Sequence, residues 1–397
     1  MERKQLGISL LAALLVSWQA IGCSAVNPAV KVPTAPAHTA WLARQIIALY
    51  RPGSVPKPVL IAGKKLAEVQ AFSLAGEVRV YEVPPELDFR MVNARLQAIK
   101  DIVHVVPNRP KLGSFWPNDP LFEQQWPFSR GNLNVTSFWD RRVDTSKVMV
   151  AVLDTGIDAS HPELAGRVSL GANTLDVTQD SRDDVGHGTH VAGIIGAAGN
   201  NGIGVAGVAW NVRLLAVKVL GKNGGNDAAA LSGISYAILA GAKVINLSFN
   251  SNDTTVNPAY QSAVDFARSR GAVVVAAAGN NGGALTQPAT TPGLLAVAAL
   301  RSDGSLASYS NYRGEAIGIA APGDNIISTI PGGSYQLDSG TSMAAPFVSA
   351  AAAILLAEHP DWSVEQVINA IRFAAPPLPG LQSSSLGWGR LDLGRLP

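Results

Sequence analysis

Three short segments contain an aspartate, a histidine and a serine in settings that suit catalysis. AVLDTGID places Asp154 at the end of an apolar run, GHGTHVAG places His187 in a glycine-flanked turn, and SGTSMAAP places Ser342 shortly after Gly340. A serine hydroxyl is a weak nucleophile and needs a base within hydrogen-bond reach. Histidine can be that base near neutral pH, and a buried aspartate fixes the imidazole tautomer and stabilises the imidazolium. Together the three residue types indicate nucleophilic acyl transfer.

Each of the three residues also has a structural interpretation. Asp154 could be a buried acid that caps a turn, Ser342 could be only a helix N-cap, and His190 competes with His187 as the base. The order Asp, His, Ser at separations of 33 and 155 residues nevertheless favours catalysis. A helix that starts near Ser342 would offer free N–H groups to a developing oxyanion, and Gly340 would let backbone approach the serine closely.

Five continuous apolar runs after residue 147 predict buried strands. Such runs, when helical patterns separate them, are typical of parallel strands covered on both faces. The runs are VMVAVLD, VRLLAVKVL, AKVINLSF, GAVVVAAAGN and LLAVAAL, and the predicted helices cover 187–198, 227–240, 257–270, 341–358 and 363–374. The pattern predicts an α/β fold with a doubly wound, mostly parallel sheet, in which active groups collect beyond the carboxyl ends of the strands.

The three motifs together resemble those of the subtilisin family of serine endopeptidases, and the resemblance extends over residues 116–390. It implies a subtilisin-like fold and hydrolysis of peptide bonds through an acyl-enzyme. Asp154, His187 and Ser342 would then be the catalytic triad, and His190 would be structural. The motif AAAGN at 276–280 further implies that Asn280 donates to the oxyanion, although a simple Asn-Gly turn is the alternative for this segment.

Two segments resemble the substrate groove of that family. INLSFN at 245–250 is similar to a strand that pairs with the substrate backbone, and LGKNGGND at 220–227 is similar to the opposite rim. The implied substrate-binding residues are Ser248, Phe249, Asn250, Gly224 and Gly225. Asn250 and Asn226 stand where glycine is usual in the family. No acidic cluster suited to dibasic substrates is evident, so we expect a broad apolar preference.

A calcium site is implied by GNNGIGVAG at 199–207, which resembles the calcium loop of the family. Hard cations bind oxygen ligands, and a tight loop can direct several carbonyls at one point. Glu163 replaces the usual aspartate, and Asp119 would contribute from the start of the mature enzyme. The implied ligands are Asp119, Glu163, Gly199, Asn201, Ile203 and Val205. A Gly/Asn turn without a metal is the alternative.

The N-terminus has the layout of a secretory signal peptide. Arg3 and Lys4 precede an apolar run, and small residues precede Cys23, which is the only cysteine and so excludes an intrachain disulfide. AIGC at 20–23 resembles a bacterial lipobox, which predicts lipidation of Cys23 and a precursor tethered to the membrane. An ordinary signal peptide that contains a cysteine is the alternative.

The order of segments predicts a precursor. We expect a signal peptide over 1–22, a linker over 23–58 with a short helix over Ala40–Tyr50, a small α+β, ferredoxin-like unit over 59–112, and a catalytic domain over 113–397. The small unit resembles inhibitory propeptides mainly in its position, and an independent binding domain is the alternative. Residues 24–115 hold 12 Lys and Arg against 6 Asp and Glu, while residues 116–397 hold 17 against 22, so the two parts carry opposite net charges.

The sequence therefore predicts a secreted serine endopeptidase that processes itself from a zymogen. Its partners would be protein or peptide substrates and its own propeptide, with maturation cleavage between Pro107 and Trp116. Nucleic acid is not an expected partner, since no dense basic patch with interleaved aromatic residues is present. The alternatives are a processing peptidase of narrow specificity and a lipid-anchored binding protein that keeps the fold without catalysis.

Overall fold

Two folded units are described by this computed structural model, one on each side of residue 110. The residues described are 45–73, 77–107, 116–128, 132–141, 143–312, 317–378 and 389–397. The predicted signal peptide, Cys23 and most of the predicted maturation region therefore lie outside the described residues.

The smaller unit is an antiparallel sheet with one helix against it. Its elements are β1 (Gln45–Tyr50), β2 (Leu60–Ile61), β3 (Lys64–Lys65), β4 (Ala67–Ser73), β5 (Glu77–Glu82), α1 (Phe89–Gln97) and β6 (Ile102–Pro107). The sheet order is β4-β5-β1-β6, and β2 pairs only with β3. Asp88 caps α1 by accepting a hydrogen bond of 2.8 Å from the amide of Met91.

The structure corrects the sequence interpretation at the start of this unit. The helix predicted over Ala40–Tyr50 is wrong, because Gln45–Tyr50 is a central strand and the folded unit includes part of the predicted linker. Strand β1 alternates buried and half-buried residues, so Ile46, Ala48 and Tyr50 join the core beside α1. A ferredoxin-like order would place a helix after β1, but within residues 45–107 the β2–β3 hairpin lies there instead.

The larger unit alternates strands and helices. Its elements are α2 (Val135–Trp139), β7 (Met149–Asp154), β8 (Val168–Asn173), α3 (His187–Gly196), β9 (Arg213–Lys218), β10 (Leu220–Gly221), β11 (Gly224–Gly225), α4 (Asp227–Leu239), β12 (Val244–Leu247), α5 (Pro258–Ser269), β13 (Val273–Ala277), β14 (Leu295–Leu300), β15 (Ile317–Pro322), β16 (Ile326–Ile330), β17 (Ser334–Asp338), α6 (Thr341–Glu358) and α7 (Val364–Ala374). All five predicted strands and all five predicted helices are present.

The main sheet has seven parallel strands in the order β15-β14-β13-β12-β7-β9-β8. From β7 the chain first forms the edge strand β8, then returns to insert β9 between β8 and β7, and finally resumes on the opposite side of β7 at β12. The sheet is therefore doubly wound, which confirms the predicted α/β fold. The direction of winding changes between β7 and β12, where such sheets bind ligands outside the carboxyl ends of their strands.

Hydrophobic cores lie on both faces of this sheet. Successive residues of β7 alternate between them: Val150 and Val152 join the core with α3, α6 and α7, whereas Ala151 and Leu153 join the core with α4 and α5. Among the helices of the described residues, α6 alone is long and apolar enough to cross a membrane, but 89% of its apolar window is buried inside the protein. It is therefore the central core helix.

Candidate active site

The carboxyl ends of three neighbouring strands bring the predicted residues to one edge of the sheet. Asp154 is the last residue of β7, Ser248 follows β12 directly, and Asn280 lies three residues beyond β13. Leu247 of β12 is in register with Leu153 of β7. Because parallel strands in register end together, Ser248 and Asn280 share this edge with Asp154, although they lie 94 and 126 residues further along the chain.

Asp154 and His187 are in direct contact. Asp154 is fully buried, and its Oδ1 lies 2.7 Å from Nδ1 of His187, the first residue of α3. The same oxygen accepts a hydrogen bond of 2.7 Å from the amide of Thr155. When the imidazole is neutral, the carboxylate is positioned to accept the proton of Nδ1, which makes Nε2 of His187 the acceptor that a base requires.

The electrostatic surroundings distinguish His187 from His190. Desolvation lowers the pKa of His187, but the charge and hydrogen bond of Asp154, assisted by Asp338 and Asp183, outweigh this and raise the pKa to about 9. His190 is also buried, its Nε2 lies 3.0 Å from a main-chain carbonyl, and desolvation lowers its pKa. His190 is therefore favoured in its neutral form, and its contacts are those of a structural residue.

The loop before His187 is braced by Asp183, which the sequence interpretation missed. Oδ1 of Asp183 accepts from the hydroxyl of Thr155 at 2.8 Å and from the amide of Gly186 at 2.8 Å, and Oδ2 accepts from the amide and hydroxyl of Thr189. These bonds tie the start of α3 to the residue that follows Asp154. An acidic residue just before a predicted helix start was the available signal.

Ser342 is the second residue of α6 and exchanges hydrogen bonds with Ser248. Oγ of Ser342 donates to the carbonyl of Ser248 at 3.0 Å, and Oγ of Ser248 donates to the carbonyl of Ser342 at 2.8 Å. The carbonyl of Ser342 is free to accept because Pro346, four residues later, has no N–H to offer it. Pro346 of the SGTSMAAP motif thus permits the contact that joins α6 to β12.

Two unpaired N–H donors lie beside Ser342. Oδ1 of Asn280 accepts from both the amide and the hydroxyl of Thr341 at 2.9 Å, which fixes the carboxamide orientation. Within the described residues, neither Nδ2 of Asn280 nor the amide of Ser342 donates a hydrogen bond. A Cβ at Gly340 would lie 3.4 Å from that Nδ2 and 3.6 Å from the Ser342 amide nitrogen, so both donors border the space that the missing side chain leaves open.

Comparisons with known proteins show the family of this chain. Residues 145–389 match the model of the subtilase family. The chain belongs to the subtilase family. It is a subtilisin-type serine endopeptidase, a hydrolase of peptide bonds.

Individual relatives match this subtilase over more than three fifths of its length. It is 39% identical to a thermophilic serine proteinase of Bacillus sp. strain AK1 over 74% of each chain. It is 40% identical to thermitase of Thermoactinomyces vulgaris, over 62% of this chain and 86% of thermitase. Among solved structures, a protease from Pseudoalteromonas arctica is similar with a TM-score of 0.65 and 33% identity, over 70% of this chain and 98% of that one.

The segments implied in substrate binding form the borders of this edge. In the subtilase, Gly224 and Gly225 are exposed and pair with β10 in a short hairpin. Phe249 packs on the core beside α4 and α5, and Asn250 bonds to the carbonyl of Ser251. Asn226 is explained by the structure, because its side chain caps α4 by accepting from the amide of Ala229 at 2.9 Å.

The loop implied in calcium binding surrounds two buried carboxylates. Asp119 accepts from the amides of Asn200 and Asn201, and fully buried Glu163 accepts from the amide of Val205 at 2.9 Å and from Nδ2 of Asn201 at 2.8 Å. Burial raises the pKa of Glu163 to about 7, against the lowering effect of these hydrogen bonds. In the described part of the chain, no ion pair compensates either carboxylate.

The remaining oxygens of that loop decide how well a cation fits. The carbonyls of Gly199, Ile203 and Val205 accept no hydrogen bond from the described residues, so they are available as ligands. Asn201 differs, because its Oδ1 accepts from the amide of Ile203 at 3.1 Å. The described residues contain no group of three or more His, Cys, Asp or Glu suited to a metal, so a cation would depend on two carboxylates and on carbonyls. That donor set suits a hard cation such as calcium.

The hydrogen bond between Asp154 and His187 predicts the titration of the histidine. In the Ser342→Ala background, which prevents self-digestion, NMR should show His187 titrating above the ordinary pKa of about 6.5. Asp154→Asn should lower this pKa markedly, because desolvation is then opposed only by Asp338 and Asp183. Asp180→Asn, an exposed change in the same loop, should not. An unchanged pKa in Asp154→Asn would contradict the assignment.

Proposed function

We propose that this subtilase cleaves peptide bonds by a Ser342, His187 and Asp154 triad. Oγ of Ser342 attacks the scissile carbonyl, and Nε2 of His187 takes its proton and returns it to the leaving amine. Asp154 orients the imidazole and stabilises its cation. Water then hydrolyses the acyl-enzyme by the same proton path. The peptide lies along the exposed backbone of Gly224–Gly225 and the segment 248–250.

The proposal rests on one observation: a hydrogen-bonded Asp154–His187 pair, the Ser342 hydroxyl and two unpaired N–H donors share the carboxyl edge of the sheet. Nδ2 of Asn280 and the amide of Ser342 would stabilise the oxyanion of the tetrahedral intermediate. The Ser342 hydroxyl donates to Ser248 and not to His187 here. Catalytic hydrogen bonds are often made only after substrate binds, so this geometry is compatible with the role.

A fluorophosphonate probe and peptide hydrolysis test the triad. The wild-type protein should be labelled at Ser342, and Ser342→Ala should lose both labelling and turnover. Asn280→Ala should keep labelling but lower kcat by about 10²–10³-fold, because one oxyanion donor is lost. Ser262→Ala, which removes an exposed hydroxyl on α5, should leave both unchanged. Equal labelling of Ser342→Ala and wild-type protein would refute the assignment.

We also propose that calcium stabilises the fold at the loop of residues 199–205. The residues that would hold it are Asp119 and Glu163 through carboxylates, Gly199, Ile203 and Val205 through carbonyls, and Asn201 through its amide. Calcium supplies positive charge and no catalytic step. Support comes from the two buried, uncompensated carboxylates, since buried charge is costly unless paired or bound to a metal.

Calcium should raise the melting temperature of the Ser342→Ala protein, and EGTA should lower it. At free calcium a hundredfold above Kd, linkage gives a stabilisation of about 2.7 kcal/mol. Glu163→Gln should remove most of this response, while the exposed control Asp265→Asn should keep it. Differential scanning calorimetry with and without EGTA provides the measurement. Equal melting temperatures of the Ser342→Ala protein in calcium and in EGTA would rule the site out.

We infer, finally, that the unit of residues 45–107 is an inhibitory propeptide of a secreted zymogen. One face of its sheet is covered by α1, while Ile47 and Leu49 are half-buried and Val106 is 49% exposed on the other face. This apolar face could pack on the catalytic domain, and the opposite net charges of the two parts would favour docking. Any lipid on Cys23 would then tether the precursor and not the mature enzyme.

Intact mass and N-terminal sequencing test this maturation. Wild-type protein secreted by a bacterial host should begin between Pro107 and Trp116 and lack lipid. The Ser342→Ala protein should keep the small unit, because self-processing requires the nucleophile. Mixing the precursor with a trace of wild-type enzyme distinguishes cleavage within one molecule from cleavage between molecules. Identical processing of both proteins without added enzyme would contradict a self-processed zymogen.

A further inference from the structure

The loop that presents Asn280 is held by a side chain far away in the sequence. Asn311 is fully buried, and its Oδ1 accepts from the amides of Asn281 at 2.9 Å and Gly283 at 3.0 Å. Its Nδ2 donates to the carbonyl of Ala278 at 3.2 Å. The side chain therefore bonds the backbone on both sides of Asn280. Two N–H groups face one oxygen and a carbonyl faces the nitrogen, so the amide orientation is determined by its partners.

Backbone contacts extend the same brace. The amide of Asn311 donates to the carbonyl of Gly279 at 2.8 Å. Gly279 has a positive φ of 108°, and a Cβ there would collide with Nδ2 of Asn311. The glycine of the AAAGN motif is thus required by the close approach of the Asn311 amide.

Asn311 is itself rigidly held. Oγ of Ser310 accepts from the amide of Ala299 in β14 at 2.9 Å and donates to the carbonyl of Asn311 at 3.1 Å. A strand of the main sheet thereby fixes the segment from which Asn311 projects. No bond joins Asn311 to Asn280 directly, so any influence on Asn280 passes through the backbone of residues 278–283.

We propose that Asn311 is the positioning residue for the oxyanion donor Asn280. Thr341 fixes the rotation of the Asn280 carboxamide, whereas Asn311 fixes the place of the backbone from which that carboxamide extends. Displacing a transition-state donor by about 1 Å can cost on the order of 10²-fold in rate. The inference rests on the proposed oxyanion role of Asn280, and it assigns the positioning of Asn280 to the buried side-chain amide of Asn311.

A double-mutant cycle in kcat tests the proposal, with all proteins quantified by active-site titration. Asn311→Ala should lower kcat by about 10–100-fold and leave KM within about twofold, since the donor acts in the transition state. In the Asn280→Ala background, the same change should lower kcat by less than about twofold, because no donor remains to be misplaced. The loss in melting temperature, in contrast, should be similar in both backgrounds. If Asn311→Ala yields too little folded enzyme, Asn311→Ser completes the cycle.

Asn173→Ala is the matched control. Asn173 is also buried, and its side chain makes the same three kinds of bond, to the amides of Leu175 and Asp176 and to the carbonyl of Asp180, in a loop without Asn280. It should lower the melting temperature but leave kcat within about twofold. If Asn311→Ala lowers kcat equally in both backgrounds, or not at all, the inference is overturned alone. If Asn280→Ala itself leaves kcat unchanged, the proposed oxyanion role falls as well.

Discussion

The carboxylate of Asp154 is the group on which this structure depends. It is fully buried at the end of a strand whose other residues are all apolar, and an ionised carboxylate in that position is unfavourable without a partner. The ring of His187 supplies the partner at 2.7 Å. The loop before α3 must therefore hold the ring in place, and the bonds of Asp183 and Thr155 do so. Because the buried carboxylate of Asp154 needs the ring of His187 as its partner, their contact fixes the tautomer of the ring and the direction of Nε2.

The pairing of parallel strands brings the other residues of the site to the same edge of the sheet as Asp154. Because β7, β12 and β13 end in register, the groups that follow them meet at one edge, and α6 begins beneath the same edge. Side chains far apart in sequence then lock the loops: Ser248 with Ser342, Thr341 with Asn280, and Asn311 with the backbone around Asn280. These contacts hold the loops that present the donors of Asn280 and Ser342, while Gly224 and Gly225 at the border of the edge remain exposed.

The sequence predicted the strands that contain long, continuous apolar runs and failed where such a run was absent or interrupted. The runs that form β7, β9, β12, β13 and β14 were recognised because both of their faces are covered. Two strands of the main sheet were missed. Strand β8 is only half-buried and lacks such a run, and β15 is buried but has a short run that Gly318 interrupts and Pro322 ends. Strand β1 was taken for helix because its segment has no breaker and few β-branched residues. The motifs located Asp154, His187, Ser342 and Asn280. Asn311 was not recognised, since its role depends on contacts across loops that no local spacing shows. Asp183 was overlooked although its place just before a predicted helix start was a local signal.

Pro346 has a consequence for attempts to make the enzyme more robust. A proline inside a helix is less favourable than alanine by about 3 kcal/mol, so this position invites replacement. The alanine would restore an amide N–H four residues after Ser342, directed at the carbonyl that now accepts from Ser248. That amide would compete with the Ser248 hydroxyl for the carbonyl oxygen, and the bond from Ser248 is one that fixes the nucleophile beside the end of β12. A design guided by helix propensity alone would therefore overlook the position of the nucleophile.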